Sequence, residues 1–290
     1  METDLDRARE MIASAAAFVF AAGAGMGVDS GLPDFRGNEG FWRAYPPFAK
    51  QGLGFQALAN PRWFEEDPHL AWGFYGHRLG LYRRTVPHAG FSILRKWSEV
   101  TPSFVFTSNV DGQFQRAGFD DDAVFECHGS IHHVQCTRNC GWFADATPQD
   151  EPLHSTPAKS HHTSTLQVAI DETTMRAKDP LPRCAQCGAT ARPALLMFGD
   201  GAWDDRRSAE QEHRFEQFVA DETSGPLGAR GLVVVECGAG TAVPSVRRMS
   251  ESLVRAGARL LRINVREPDV PRGQIGLAMG AAEALRALDA

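Results

Sequence analysis

The amino-acid sequence predicts an α/β protein with a Rossmann-like, doubly wound parallel sheet and a small inserted domain. Short apolar runs have the composition of strands buried on both faces, at residues 18–21, 104–107, 232–235 and 260–263. Amphipathic segments alternate with these runs, as helices do in βαβ units, at residues 70–84, 89–97 and 207–219. The alternation stops between residues 131 and 193. We therefore expect a larger domain formed by residues 1–130 and 194–290, and an inserted domain formed by residues 131–193.

The composition is that of a globular protein that can bury a sizeable core, with 290 residues and 43% hydrophobic content. A net charge of −6 argues against direct nucleic-acid binding, because phosphate contacts need a basic surface. The acidic start of the chain differs from the basic start of a secretory signal. The longest apolar run, residues 15–26, is shorter than the roughly 20 residues of a membrane span. We expect a cytoplasmic protein without membrane association.

Four of the six cysteines form two closely spaced pairs, Cys136-x-x-x-Cys140 and Cys184-x-x-Cys187. Short spacing in a chain without an export signal favours metal binding over disulfides. Four thiolates would bind zinc in a closed, structural site. Nearby histidines are alternative ligands, although solvated loop histidines are the simpler interpretation: His132, His133, His161 and His162. Cys127 and Cys237 are interpreted as ordinary buried thiols, and the polar stretch 147–165 as a mobile loop.

A glycine-rich turn, Gly23-Ala24-Gly25, follows the first predicted strand. Glycines at this place let the backbone approach a phosphate at a helix N-terminus, where unpaired N–H groups favour an anion. Val28 stands where the G-x-G-x-x-G fingerprint has its third glycine, which disfavours an ordinary Rossmann dehydrogenase. A tight strand-to-helix turn without a ligand is the alternative.

Residues 23–37 read Gly-Ala-Gly-Met-Gly-Val-Asp-Ser-Gly-Leu-Pro-Asp-Phe-Arg-Gly, and this stretch resembles the signature of the sirtuins, the NAD-dependent protein deacylases. The resemblance continues in the family's order along nearly the whole chain, at Thr107-Ser108-Asn109-Val110-Asp111-Gly112, His128-Gly129-Ser130, Arg192-Pro193, Phe198-Gly199-Asp200, residues 238–245 and Ile263-Asn264. It implies NAD as co-substrate, structural zinc, and an acyl-lysine protein or peptide as substrate.

The resemblance makes His128 the general base. In sirtuins the acyl-lysine carbonyl oxygen attacks the ribose carbon that bears nicotinamide, and a histidine then helps a ribose hydroxyl to attack the intermediate. The products are free lysine, nicotinamide and O-acyl-ADP-ribose. Imidazole suits this role because its unperturbed pKa of about 6.5 lies near the working pH.

The resemblance also assigns residues to the cofactor. The phosphate turns would be formed by Gly23, Ala24, Gly25, Gly238, Ala239 and Gly240. A loop that closes over the cofactor and excludes water would contain Asp34, Phe35 and Arg36. The nicotinamide ribose and carboxamide would contact Asn109 and Asp111 beside Ser108, and the adenosine ribose would contact Asn264. An ordinary strand-ending turn is the alternative for residues 109–112, since Asn, Asp and Gly favour turns.

Two further assignments concern the substrate. Phe198 and Gly199 belong to the segment that resembles the peptide groove. Tyr75 and Arg78 lie in a predicted helix, and positions i and i+3 share a helix face, so the two side chains can grip one carboxylate. They resemble the Tyr-x-x-Arg pair of the sirtuin branch that removes succinyl, malonyl and glutaryl groups. The alternative is an amphipathic face with Arg78 in solvent.

Three departures from the family pattern each remove a polar side chain near NAD. Ser108 stands where the family usually has glutamine, Gly27 where it often has serine, and Ala239-Gly240 where it often has Thr-Ser. Two alternative functions follow: a protein ADP-ribosyltransferase or NAD hydrolase, and a non-catalytic NAD-sensing or protein-binding module. The presence of His128 argues against both, and the cysteine pairs and groove segment also argue against the first.

Overall fold

The computed structural model describes residues 3–34, 37–146 and 166–290. The strands are β1 (Ala17–Ala22), β2 (Ser103–Thr107), β3 (Val124–Glu126), β4 (Gly129–Cys136), β5 (Phe143–Asp145), β6 (Ile170–Asp171), β7 (Arg176–Ala177), β8 (Ala191–Leu195), β9 (Leu232–Cys237), β10 (Arg259–Ile263) and β11 (Ile275–Leu277). The α-helices are α1 (Asp4–Ala13), α2 (Gly37–Ala44), α3 (Pro46–Lys50), α4 (Phe55–Leu58), α5 (Trp63–Glu66), α6 (Pro68–Arg84), α7 (Ala89–Ser98), α8 (Gln113–Arg116), α9 (Arg206–Thr223), α10 (Ser245–Arg255) and α11 (Ala281–Leu288). Across these three ranges, no helix is both long and apolar enough to cross a membrane.

The larger sheet has six parallel strands in the order β11-β10-β9-β1-β2-β3. The predicted doubly wound fold class is therefore confirmed, and each predicted strand and helix is present within a few residues of its expected bounds. The strand order reverses between β1 and β9, because the chain first builds outward through β2 and later returns on the other side of β1. Connections leave in opposite directions at such a point and open a crevice beyond the carboxyl ends of the strands.

Both faces of this sheet are covered by helices. Along β1, Phe18 and Phe20 belong to a core that includes residues of α7 and α11, whereas Val19 and Ala21 point to a core that includes residues of α9 and α10. Burial on both faces explains why the strands are continuous apolar runs and not alternating ones.

The second part of the chain contains an antiparallel sheet in the order β5-β4-β8 and the small hairpin β6-β7. β4 begins at Gly129 and β8 ends at Leu195, so this sheet starts and ends two residues outside the range predicted for the inserted domain. The domain boundaries themselves stay a prediction, and the stretch 147–165 lies outside the described residues.

The long helix α6 packs against this second part. Asp67 precedes it and accepts a hydrogen bond from the Leu70 amide at 3.1 Å, while Pro68 occupies the first helical position. Gly73 allows close packing, since a Cβ there would lie 2.0 Å from the carbonyl oxygen of Met175. The helix is therefore fixed at its start and middle.

A buried ion pair interrupts the apolar interior of the larger sheet. Arg262 and Glu236 are directly opposite each other on β10 and β9, and both side chains are fully buried. Arg262 Nη2 lies 3.1 Å from Glu236 Oε2 and 3.1 Å from Glu251 Oε1. The pair favours this strand register, because a slip would leave a buried charge without its partner.

The turns that follow β1 and β9 cross in direct backbone contact. A Cβ on Gly25 would lie 2.7 Å from Gly238 Cα, and a Cβ on Gly23 would lie 2.7 Å from Ala239 Cα. Gly238 also has a positive φ of 65°, which side chains rarely adopt. The glycines are therefore required by the crossing itself, a packing reason that the sequence interpretation did not include.

We predict that Gly25→Ala destabilises the protein by about 2–3 kcal/mol, because the new methyl group would overlap backbone that cannot move aside. Urea unfolding measures the change. Gly225→Ala is the matched control, since a Cβ at Gly225 meets nothing within 4 Å. Equal unfolding free energies for the two variants would contradict the crossing as a constraint.

Candidate active site and metal centre

The predicted cofactor and catalytic residues meet at one edge of the larger sheet. Each follows the carboxyl end of a parallel strand: Gly23 follows β1, Ser108 follows β2, His128 follows β3, Gly238 follows β9 and Asn264 follows β10. A pocket of about 360 Å³ opens at this edge, beside the reversal of strand order. Residues of the turns that cross there line it, together with Asp29, Asp34 and Arg266. This is the place where an open α/β sheet binds ligands.

Ion pairing holds the rim of this pocket. Arg266 Nη2 lies 2.8 Å from Asp34 Oδ2, so the first residue of the predicted closing loop is tied to the turn after β10. Asp29 accepts a hydrogen bond from the Ala282 amide at 2.8 Å and thereby joins the first turn to α11. Phe35 and Arg36 lie outside the described residues, and their roles stay predictions.

Asn264 and Asn109 connect the turns to one another. Asn264 Nδ2 donates to the carbonyl oxygen of Ala239 at 2.8 Å. Its Oδ1 accepts from the backbone N–H groups of Arg266 and Glu267 at 3.1 Å each. Asn109 Nδ2 donates to the carbonyl oxygen of Gly23 at 3.0 Å. Both side chains therefore hold the neighbouring turns in place by hydrogen bonds to backbone atoms. Their contacts with the cofactor stay predictions.

Asp111 is buried below the same edge. Its Oδ1 accepts a hydrogen bond from the Gln113 amide at 3.0 Å. Burial raises the pKa of its carboxyl group to about 6, with the negative charge of Glu126 acting in the same direction. The predicted carboxamide-binding residue is therefore a buried carboxyl group that titrates near neutral pH.

His128 lies two residues after β3. Its Nε2 is 3.0 Å from Ser245 Oγ. Burial lowers the pKa of the imidazole, and a hydrogen bond with the Ser108 backbone opposes this shift. The neutral form that can accept a proton is therefore favoured near pH 7.

Helix α9 fixes the strand end that carries His128. The Glu126 amide donates to Gln211 Oε1 at 3.2 Å, and the Ser208 hydroxyl donates to the Glu126 carbonyl oxygen at 3.1 Å. Arg207 Nη2 lies 2.7 Å from the buried carboxylate of Glu126. Backbone and side chain of Glu126 are thus both held, which limits how His128 can move.

The predicted peptide-groove segment, residues 192–200, passes directly beside His128. The Leu196 amide donates to the carbonyl oxygen of His128 at 2.9 Å, and the Phe198 amide donates to that of Ala59 at 2.9 Å. Phe198 remains 37% exposed, and its ring centroid lies 6.0 Å from that of Phe55. The segment therefore offers an accessible apolar side chain next to the base.

Tyr75 and Arg78 lie together in the interior beside this segment. The guanidinium carbon of Arg78 is 5.7 Å from the Tyr75 ring centroid and 6.0 Å from that of Phe55. Its Nε and Nη2 donate to the Tyr82 hydroxyl at 3.0 and 2.7 Å. Arg78 is 6% exposed, so the alternative that placed it in solvent is wrong. Within the described part of the chain, the buried Tyr75 hydroxyl has no hydrogen-bond partner.

The two cysteine pairs meet in space. The four Sγ atoms of Cys136, Cys140, Cys184 and Cys187 all lie within 4.8 Å of one another, and two of the Sγ–Sγ distances are 3.5 Å. Tetrahedral zinc with Zn–S bonds of about 2.3 Å needs an Sγ–Sγ separation of roughly 3.8 Å, so the cluster fits a four-thiolate zinc site. Burial disfavours the Cys136 thiolate, but amide hydrogen bonds from Cys140 and Arg138 lower its pKa to about 7.

The other predicted metal candidates lie elsewhere. His132 and His133 are half-buried on β4, so the interpretation as solvated loop residues is wrong for these two. His132 Nε2 lies 3.0 Å from the carbonyl oxygen of Asp111. His161 and His162 lie outside the described residues.

The two cysteines outside the cluster are Cys127 and Cys237. Burial raises the pKa of both thiols, that of Cys127 to about 12, and Cys237 is fully buried.

The sequence model of the Sir2 family matches residues 23–225. The chain belongs to the Sir2 family. An NAD-dependent protein deacylase of Aquifex aeolicus (strain VF5) is 31% identical over 227 residues, which cover 76% of this chain and 80% of that protein. The mitochondrial NAD-dependent protein deacylase sirtuin-5 of Danio rerio is 30% identical over 214 residues, which cover 68% of this chain and 62% of that protein.

Solved Sir2 structures share the fold. A mutant Sir2 homologue in complex with ADP-ribose superimposes with a TM-score of 0.70 at 24% identity, covering 98% of this chain and 94% of the other. A Sir2 homologue in complex with NAD gives a TM-score of 0.67 at 23% identity, covering 98% and 92% of the two chains. The resemblance found in the sequence motifs is thereby confirmed at the level of the family and the fold.

Two of the departures from the family pattern, at Gly27 and Ala239, have defined surroundings in the structure. A Cβ at Gly27 would lie 3.1 Å from Leu32 Cδ1, so the buried leucine fills the space beside this position. The Ala239 carbonyl oxygen accepts from both Asn264 and Arg247, at 2.8 and 3.1 Å. The turn at Ala239 is therefore held by its backbone, and a polar side chain there is not needed for its shape.

Sequence reasoning missed several residues that shape this Sir2 site. Ser245 contacts His128, Tyr82 holds Arg78, and Ser208 and Gln211 of α9 hold Glu126. Ser208 and Gln211 lie in a predicted helix and Ser245 ends a predicted turn segment, and serine or glutamine there gives no signal of a partner more than 80 residues away. Tyr82 is the exception, because its spacing of four from Arg78 places the two on one helix face.

We predict that Cys184→Ser abolishes zinc binding and lowers the unfolding temperature, because three thiolates and a hydroxyl bind zinc poorly and the four-residue cluster would lose the ion that joins its two pairs. Elemental analysis of the purified proteins measures the zinc content. The expected values are one zinc per chain for the wild type and for the control Cys237→Ala, and none for Cys184→Ser. A full zinc complement in the Cys184 variant would contradict the four-cysteine site.

Proposed function

We propose that this protein is an NAD-dependent protein-lysine deacylase, which transfers the acyl group to ADP-ribose and releases nicotinamide and free lysine. One observation carries the proposal: the side chain of His128 lies at the cofactor edge of the sheet, while its carbonyl oxygen accepts a hydrogen bond from Leu196, within the predicted groove segment 192–200. A base at this junction can serve a reaction between a cofactor in the crevice and an acyl-lysine in the groove. The names of the Sir2 relatives support the same activity.

In this proposal the chain's residues bind, orient and exclude water. NAD supplies a glycosidic bond that nicotinamide can leave. The crossed turns at Gly23–Gly25 and Gly238–Gly240 would hold its phosphates through backbone amides other than those of Gly23, Gly25 and Gly238, which donate to carbonyl oxygens at the crossing. His128 would remove the proton of a ribose hydroxyl at Nε2. The Asp34–Arg266 pair would hold the first residue of the loop that excludes water.

Zinc has a structural role in this proposal. All four cysteines would bind the ion, which leaves no position for a substrate water. Cys136 lies at the end of β4, the strand that begins one residue after His128. The ion would therefore stabilise the sheet that supports the groove segment and take no part in the chemistry.

We further propose that the acyl pocket prefers acidic acyl groups. Arg78 supplies a buried cation, and the buried Tyr75 hydroxyl lacks a partner within the described residues. A dicarboxylic acyl chain would satisfy both, whereas an acetyl group would leave the hydroxyl unpaired, which is unfavourable in a buried site. The cytoplasmic location and the absence of nucleic-acid and membrane partners stay predictions.

Mass spectrometry of the reaction products tests the function. Purified protein and NAD are incubated with matched peptides that carry acetyl-lysine, succinyl-lysine or unmodified lysine, beside a control without peptide. We expect acyl-dependent O-acyl-ADP-ribose. Free ADP-ribose without peptide would indicate an NAD hydrolase, and a peptide that gains ADP-ribose would indicate a transferase. NAD binding without nicotinamide release would indicate a sensor.

We predict that Arg78→Met lowers kcat/KM for the succinyl peptide by on the order of 10²-fold, because it removes a charged hydrogen-bond donor from a buried site. The acetyl peptide should change by no more than about threefold, since it does not use the charge. Steady-state kinetics on both peptides measures the ratio.

Arg84→Met is the matched control, because Arg84 lies on the same helix and is exposed. This variant should leave kcat/KM unchanged for both the succinyl and the acetyl peptide. Equal losses for the two peptides in the Arg78 variant would reject the acidic acyl pocket while leaving the deacylase function standing.

A further inference from the structure

Ser245 is the first residue of α10, and its hydroxyl faces the proposed base. Its Oγ lies 3.0 Å from Nε2 of His128, which is the nitrogen that must take the proton of a ribose hydroxyl in the proposed reaction. The side chain is half-buried. The proposed function gives this serine no role.

The start of α10 is held firmly, so this contact is a fixed feature of the site. Val246 and Arg247 are buried. Arg247 Nε donates to the carbonyl oxygen of Ala239 at 3.1 Å, and its Nη2 donates to that of Glu267. Ser245 lies in the same helical turn as these two residues. Its backbone is therefore fixed relative to the crossed turns and to the turn after β10.

The direction of the hydrogen bond follows from the role proposed for Nε2. A base that takes a proton at Nε2 carries none there beforehand, and a serine hydroxyl can donate to such a nitrogen. In a neutral imidazole one nitrogen carries the proton and the other accepts. Nε2 is therefore the acceptor, and the Ser245 hydroxyl donates to it.

We propose that Ser245 is a positioning residue for the base, which holds the imidazole of His128 by a hydrogen bond that keeps Nε2 unprotonated. The proposal rests on the deacylase function and on His128 as its base. A ribose hydroxyl would replace the serine hydroxyl at Nε2, and its O–H bond would break as its oxygen attacks, so that Nε2 gains the proton. Ser245 keeps its own proton throughout.

A serine at this place also links the base to the cofactor turns. Residues 238–245 form one continuous segment, which begins at the crossing with Gly25 and ends at the hydroxyl that faces His128. Thr241 is tied to Glu267 by a hydrogen bond of 2.6 Å, and so the middle of the segment is fixed as well. The base would be oriented from the same element that receives the phosphates.

Ser245→Ala tests the proposal in two partial reactions. Nicotinamide exchange reports cleavage of the glycosidic bond, which needs no base, and should stay within about twofold of the wild type. Formation of O-acyl-ADP-ribose should fall by about tenfold, a part of the roughly 10²- to 10⁴-fold that general base catalysis contributes. Ser245→Thr keeps the hydroxyl and should restore the rate. Ser252→Ala, an exposed serine on the same helix, is the matched control and should leave it unchanged.

The pH profile and the ring itself provide independent readouts. A hydroxyl that donates to Nε2 stabilises the neutral ring, so its removal should raise the pKa of His128 and move the acid limb of kcat/KM to higher pH. Nitrogen-15 NMR of labelled histidine in the cofactor-free protein should show Nε2 unprotonated in the wild type. It should show a mixture of tautomers in Ser245→Ala.

The outcomes separate this role from the function on which it rests. Unchanged product formation, pH profile and tautomer in Ser245→Ala would overturn the role of Ser245 alone. Equal losses in nicotinamide exchange and product formation would also overturn it, because they would assign the serine to cofactor binding or folding. A wild-type protein that forms no O-acyl-ADP-ribose would instead overturn the deacylase function, and the NMR tautomer would still decide whether Ser245 orients the ring.

Discussion

Backbone contact between the turns after β1 and β9 is the constraint on which the rest of the site depends. No side chain fits between Gly25 and Gly238, and Gly238 must also adopt a positive φ. The crossing brings two sets of backbone amides to one crevice at the reversal of strand order. Asn109 and Asn264 then tie the neighbouring turns to this pair, so the crevice is built chiefly from backbone.

The second organising feature is the short connection between the two sheets. β3 ends at Glu126 and β4 begins at Gly129, so His128 lies where the chain leaves the parallel sheet for the antiparallel one. On the side of the parallel sheet, helix α9 holds this connection through Glu126. On the side of the antiparallel sheet, the Leu196 amide donates to the His128 carbonyl oxygen. The predicted groove segment and the edge of the parallel sheet therefore meet at one fixed residue.

The sequence predicted the parallel sheet and the cysteine cluster well, because both are expressed in local composition: buried strands are apolar runs, and metal ligands are closely spaced cysteines. The contacts of Ser245 and Arg207 were not predictable, since their partners at residues 128 and 126 are brought near only by the packing of α10 and α9 on the sheet. Arg262 lies in a run that the sequence analysis described as apolar, and its ion-pair partner was not predicted. Only the strand register of the folded protein places Glu236 opposite it.

The cofactor is proposed to bind across the crossed turns, and hydrogen–deuterium exchange with and without ADP-ribose can detect this binding. Bound phosphates should protect backbone amides in residues 23–31, 238–245 and 264–267, because these segments form the crevice. The metal-ligand segments 136–140 and 184–187 should exchange at the same rate with and without ADP-ribose. Protection confined to those metal-ligand segments, or no protection at saturating ADP-ribose, would contradict the account.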